Sequence, residues 1–244
     1  MAEPNPVVAA PVDSAPVRWG LGDALIGFVV SVIGSFITAS FAVSASGVDS
    51  FDKLPLGWLA VAQLGLWVGL LGVPWLAARY KGNNMREDFG LRATWGDLPV
   101  GFLAGALGQY LMVPLVYIPL RLLLDFDAED ISGPAREITD RAAGPVGVIL
   151  LILIVGIGAP IVEEIFYRGL VQRSMIRRFG PVAGIGFTSV LFGAAHFEPL
   201  QFVALSLAGA LFGWLAYRYG RLGPSIFAHM VFNLTAVVAL LVAR

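Results

Sequence analysis

Cysteine is absent from this 244-residue chain. That excludes a thiol nucleophile, a disulfide framework and any cysteine-ligated zinc or iron–sulfur site. Charge is scarce as well: Asp, Glu, Lys and Arg make up 14% of residues, the net charge is −1, and only two histidines occur. With no basic tract and no nucleic-acid motif, there is no electrostatic case for a nucleic-acid partner. The first 17 residues lack the positive charge that opens a cleaved signal peptide and carry Glu3 and Asp13 instead. With Pro4, Pro6, Pro11 and Pro16 among small residues, residues 1–20 read as a disordered cytoplasmic tail. No repeat of fixed period is visible. Catalysis, if present, is left to carboxylate, imidazole and hydroxyl groups.

Apolar residues fill the space that charge leaves. They make up 57% of the chain, and the mean hydropathy is +0.79. Stretches free of Asp, Glu, Lys, Arg and His run from Ala24 to Val48, Leu54 to Ala78, Leu98 to Leu120, Ala142 to Val162, Phe179 to Ala195 and Pro199 to Tyr217. A seventh, Leu222 to Ala243, is interrupted only by His229. At ~1.5 Å per residue each approaches or exceeds the ~30 Å hydrocarbon core, with Phe179 to Ala195 at the short limit. The fold class is all-α: a multi-pass transmembrane helical bundle of about seven helices over residues 21–244.

Lys and Arg recur after alternate stretches, as Arg79, Lys81, Arg86 and Arg92, then Arg173, Arg177 and Arg178, then Arg218 and Arg221. The intervening connections are poorer in positive charge, and the segment from Asp125 to Arg141 is acidic. The positive-inside rule then predicts a cytoplasmic N-terminus and an external C-terminus. Trp19, Trp58, Trp75 and Trp95 lie near span ends and read as interfacial anchors. The acidic run reads as a solvated outer loop. Gly101-x-x-x-Gly105 and Gly209-x-x-x-Gly213 read as close helix contacts without chemistry.

Ionisable groups at membrane depth are costly and tend to mark function. Three clusters stand out: Glu163, Glu164 and Arg168; Phe192 and His196; His229 and Asn233. Glu163 lies about 15 Å deeper than the arginines starting at Arg173 if the helix continues unbroken. Glu164 and Arg168 are spaced to pair on one helix face, while Glu163 is about 140° from Arg168 around the axis. The reading is therefore Glu163 as the reactive carboxylate and Glu164 with Arg168 as a structural brace. Pro160 cannot donate to the carbonyl of Gly156, so a broken, kinked or loosened helix is expected one turn before the carboxylates. Irregular backbone at that depth is tolerated beside a watery cavity.

Two readings of the chemistry stay open from the residues alone. Glu163, His196 and His229 are a plausible three-ligand zinc set, and the same groups can activate water without metal. The favoured version needs no cofactor. A transporter, in which the titratable groups line a proton or solute path, is a second class. A polar network that only fixes helix packing is the bland alternative.

The pattern Glu163-Glu164-x-x-x-Arg168, Phe192-x-x-x-His196 and His229-x-x-x-Asn233, each on an expected membrane helix, resembles the three motifs of the CPBP family. That family holds the type II CAAX prenyl endopeptidases and the Abi proteins linked to bacteriocin processing and immunity. The resemblance covers about residues 90–240, with Phe89-Gly90-Leu91-Arg92 similar to the family's lead-in. It implies an intramembrane endopeptidase acting on a membrane-tethered or lipidated substrate, of which a prenylated CAAX protein is one type, in a bacterial plasma membrane. In that scheme Glu163 is the general base, His196 helps orient or stabilise the oxyanion, and His229 with Asn233 completes the pocket that holds the water and oxyanion. Glu164, Arg168 and Phe192 support them. A non-catalytic immunity or binding protein on the same fold is the other outcome the resemblance allows.

Overall fold

A computed structural model describes residues 17–123 and 127–243. The expected tail therefore lies outside the described residues except for its last four positions. Among the described residues there are nine helices and no strands: α1 Leu21–Ser46, α2 Leu56–Lys81, α3 Met85–Asp88, α4 Asp97–Leu122, α5 Ala128–Asp140, α6 Gly144–Phe179, α7 Pro181–Ala194, α8 Phe202–Tyr219 and α9 Gly223–Val242. Six of them, α1, α2, α4, α6, α8 and α9, are long and apolar enough to cross a membrane. The expected fifth span is α7, only 14 residues long and about 21 Å at the helical rise. Gly180, at φ 81°, supplies the left-handed turn between α6 and α7, a conformation that costs glycine little. The chain is an integral membrane protein built as a multi-pass helical bundle.

Glycine sets the helix spacing. A methyl group on Gly65 would lie 2.0 Å from the Gly34 carbonyl oxygen, so the backbones of α1 and α2 touch, and Thr38 Oγ1 donates across the gap to the Ala62 carbonyl at 2.6 Å. Gly65→Ala is expected to force the pair apart and cost about 1–3 kcal/mol, read as a lowered thermal unfolding midpoint in detergent; an unchanged midpoint would contradict the close packing. Gly101 and Gly105 seat α4 against Phe227 and Ala228 of α9 in the same way. The stripe on α8 does more than pack: Gly209 and Gly213 offer their carbonyls to Arg168 and Gln172 of α6 at 3.2 and 2.9 Å.

One end of the bundle is tied by its basic residues. Lys81 pairs with Asp23 at 2.6 Å and Arg221 with Asp97 at 2.6 Å. Arg173 donates to the carbonyls of Asp88 and Gly220. Trp19 is not the interfacial anchor expected from sequence. It is 4% exposed, packs on Phe89 at 4.8 Å, and carries the Arg177 guanidinium 3.6 Å over its ring while Arg177 also donates to its carbonyl. Arg177 recruits the indole because a guanidinium stacks on an aromatic face. Trp75 and Trp95 are exposed, as anchors should be.

At the other end the acidic segment is not a loop. Ala128–Asp140 folds as α5, amphipathic enough to bury Thr139, although Asp125 lies outside the described residues. Gln201 Nε2 donates to the Ile131 carbonyl at 2.9 Å, tying the connection after α7 to α5.

Candidate active site

Helix α6 carries the carboxylates and runs for 36 residues, about 54 Å. The loosening expected at Pro160 takes a particular form. The helix widens into π turns on both sides of it, at Ile152–Gly158 and Glu164–Gln172, and Ala159 N–H reaches back five residues to Ile154. Widened turns absorb the missing proline N–H and concentrate at functional positions. The Val155 carbonyl in the first widened turn is held by Asn233 Nδ2 at 2.9 Å. Asn233 thus secures the backbone of α6, a use its spacing to His229 did not suggest.

The brace predicted from the i, i+4 spacing is present and fully buried. Arg168 Nη1 lies 3.4 Å from Glu164 Oε1, with both side chains at 0% exposure, in ion contact rather than a hydrogen bond. The sequence reading was incomplete, because Glu164 also holds His229. Its Oε1 is 3.1 Å from Nδ1 across 65 residues. A carboxylate can only accept, so Nδ1 carries the proton and donates. That leaves the lone pair of neutral His229 on Nε2, which lies 3.9 Å from Glu163 Oε2. The imidazole stands between the two carboxylates, bonded to one and facing the other.

Phe192 is the hub around which these groups gather. Its ring meets His196 at 4.9 Å and His229 at 5.6 Å, and the Arg168 guanidinium sits 4.4 Å over its face. His229 is backed on its other side by Phe212, stacked at 4.6 Å and 20°. His196 is not on a helix as expected: α7 ends at Ala194, and His196 lies in the following turn. From there its Nδ1 donates to the Phe192 carbonyl at 2.8 Å, capping the helix that carries it. The next residue, Phe197, has φ 56°, a left-handed conformation unusual for a bulky side chain. Glu198 follows just after that turn.

Of the expected site residues, Glu163, Glu164, Arg168, Phe192, His196 and His229 are brought together, while Asn233 is directed to the backbone of α6. A metal set is not assembled: among the described residues no three His, Asp or Glu side chains come together as ligands. Glu163 and His229 approach one another, but no third donor joins them.

Comparison with known proteins bears on the same segment. Residues 145–235 match the family described as Type II CAAX prenyl endopeptidase Rce1-like, a span that contains all three motifs. Over 157 residues the chain is 29% identical to the Bacillus subtilis (strain 168) protein called "Putative membrane peptidase YdiL". That match takes in 64% of this chain and 59% of the relative, so the chain spans about three fifths of the relative's length. No solved structure matches. Motif order and the matched segment agree: residues 145–235 are similar to the type II CAAX prenyl endopeptidase Rce1-like family.

Proposed function

We propose that the chain is an intramembrane endopeptidase that hydrolyses a peptide bond of a membrane-tethered, lipid-modified substrate with a water activated by Glu163. The observation that carries this reading is the placing of His229 Nε2 opposite Glu163 Oε2, 3.9 Å apart, inside a helical membrane bundle. One water about 2.8 Å from each atom can give one hydrogen to each acceptor. Glu163 takes the proton as that water attacks, His229 holds the water in line, and His196 lines the substrate side of the same aromatic hub. Glu164 fixes the His229 tautomer, and Arg168 balances the charge of Glu164.

An apolar groove of about 630 Å³ between α4 and α8, lined by Leu107, Leu111, Leu211, Trp214 and Leu215 among others, supports a substrate carrying a lipid chain. Leu211 belongs to the same packed cluster as Phe212, the ring against which His229 stacks. The basic end of the bundle supports a cytoplasmic placement of the N-terminus, and the likeness to a bacterial membrane peptidase supports a bacterial plasma membrane.

The test is an internally quenched peptide bearing an S-farnesyl cysteine, incubated with the protein in proteoliposomes, with products mapped by mass spectrometry. Cleavage beside the modified cysteine is expected. Folded protein that hydrolyses neither this peptide nor an unmodified membrane-spanning one would favour a binding or immunity role. No metal is required in this scheme, so activity is expected to stay within about twofold after exhaustive chelation; loss of activity that zinc restores would transfer the water to a metal.

A further inference from the structure

Alone among the residues of the hub, His196 is not carried by a helix. It lies in the connection between α7 and α8, where residues 195–197 form a first turn and residues 199–201 a second. Helix α7 starts at Pro181, just past Arg177 and Arg178 at the basic end. Its 14 residues rise about 21 Å, short of a ~30 Å hydrocarbon core. The connection therefore begins at membrane depth, where irregular backbone has to be satisfied from within the protein.

The two turns are held in different ways. The first is closed by α7 itself: His196 N–H donates to the Gly193 carbonyl at 3.3 Å and Phe197 N–H to the Ala194 carbonyl at 3.1 Å, beside the bond from His196 Nδ1 to the Phe192 carbonyl. The second is tied outward. Tyr117 of α4, 7% exposed, donates its hydroxyl to the Leu200 carbonyl at 3.1 Å, and Gln201 Nε2 donates to the Ile131 carbonyl of α5 at 2.9 Å. Between the turns stands Phe197 at φ 56°. A bulky residue keeps that conformation only where the surrounding structure imposes it. The Phe197 side chain is 79% exposed, so the constraint comes from the backbone on either side.

We propose that Tyr117 and Gln201 are positioning residues for His196. By fixing the second turn to α4 and α5 they hold the left-handed Phe197 backbone, and so keep the imidazole 4.9 Å from the Phe192 ring that His229 also meets. With either tie cut, Phe197 can relax to negative φ, which redirects the chain at the residue after His196 and swings the ring off the hub. Neither residue transfers a proton; both act through His196. The inference rests on the endopeptidase reading for its effect on rate, but not for its effect on the ring.

Tyr117→Phe keeps the aromatic ring and removes the hydroxyl, while Gln201→Met removes the amide donor at similar length. The chain has only two histidines, so NMR of the untagged protein in nanodiscs, carrying ring-labelled histidine, shows two imidazole signals, assigned with His196→Ala. Each substitution is expected to shift the His196 signal and leave that of His229 in place. With the S-farnesyl peptide in proteoliposomes, kcat is expected to fall about 3- to 10-fold while KM stays within about twofold. Asparagine adopts the left-handed region more readily than phenylalanine, so Phe197→Asn added to Tyr117→Phe is expected to restore both the signal and kcat, a rescue that general loss of packing would not allow. Wild-type His196 signal and kcat in both variants, with Glu163→Gln inactive, would overturn the positioning role and leave the endopeptidase reading standing. Equal movement of both histidine signals, the mark of general loosening, would do the same. Hydrolysis that survives Glu163→Gln would overturn the endopeptidase reading, and the His196 signal would still decide the positioning role.

Discussion

Glu163→Gln is expected to lower hydrolysis of the farnesylated peptide by on the order of 10³-fold or more while leaving the bundle folded. The two effects separate because of where this carboxylate sits. Glu163 is 15% exposed and makes no hydrogen bond to His229 at 3.9 Å, so an amide of the same shape leaves no buried ion without its partner. What the amide cannot do is take a proton from water. Initial rates in proteoliposomes, read beside unfolding midpoints, check both halves. A folded variant that retains more than about a tenth of the activity would remove Glu163 from the chemistry and shift attention to Glu164.

Arg168→Met is expected to have the opposite signature, with stability lost first. Arg168 is fully buried and bonds Gly209 O at 3.2 Å while facing Glu164 at 3.4 Å. Removing one member of a buried ion pair strands the other, at a cost of about 3–5 kcal/mol. That is a large part of a typical folding free energy, so most of the variant should fail to accumulate as folded protein. Removing both charges is far less damaging in general. Arg168→Met combined with Glu164→Gln should therefore recover folded yield, but with His229 no longer held by a carboxylate its activity should stay low. A single Arg168→Met variant that unfolds at the wild-type temperature would show that the pair carries no such burden.

Much of the architecture was legible because membrane helices announce themselves by length. Each of the seven charge-free stretches became a helix, and the shortest became α7, the shortest of those seven. The pairing of Glu164 with Arg168 was legible for a similar reason, since helical spacing alone puts them on one face. What was not legible depends on packing between distant segments. No local rule links Glu164 to His229 across 65 residues, or ties Asn233 Nδ2 to the Val155 carbonyl. The irregularity at Pro160 was legible from its missing N–H, but not its form, because that loss can be absorbed by widening a helix as well as by bending it. Trp19 was misjudged because its position near a span end gave no hint of the arginine 158 residues away that covers it. His196 fell beyond its helix because hydropathy does not register where the last turn closes, and the imidazole itself supplies the cap.

Arg168 and Gln172 are one turn apart on α6, and the carbonyls that receive them, Gly209 and Gly213, are one turn apart on α8. Two rungs of equal spacing act as a ratchet. Sliding α8 by a fraction of a turn breaks both bonds at once in a medium with no water to replace them. Sliding it by a full turn, about 5.4 Å, would match one donor to a carbonyl and leave the other facing bare backbone. The two hydrogen bonds consequently fix the register of α6 against α8, and with it the placement of the Arg168 brace relative to the Phe212 wall behind His229.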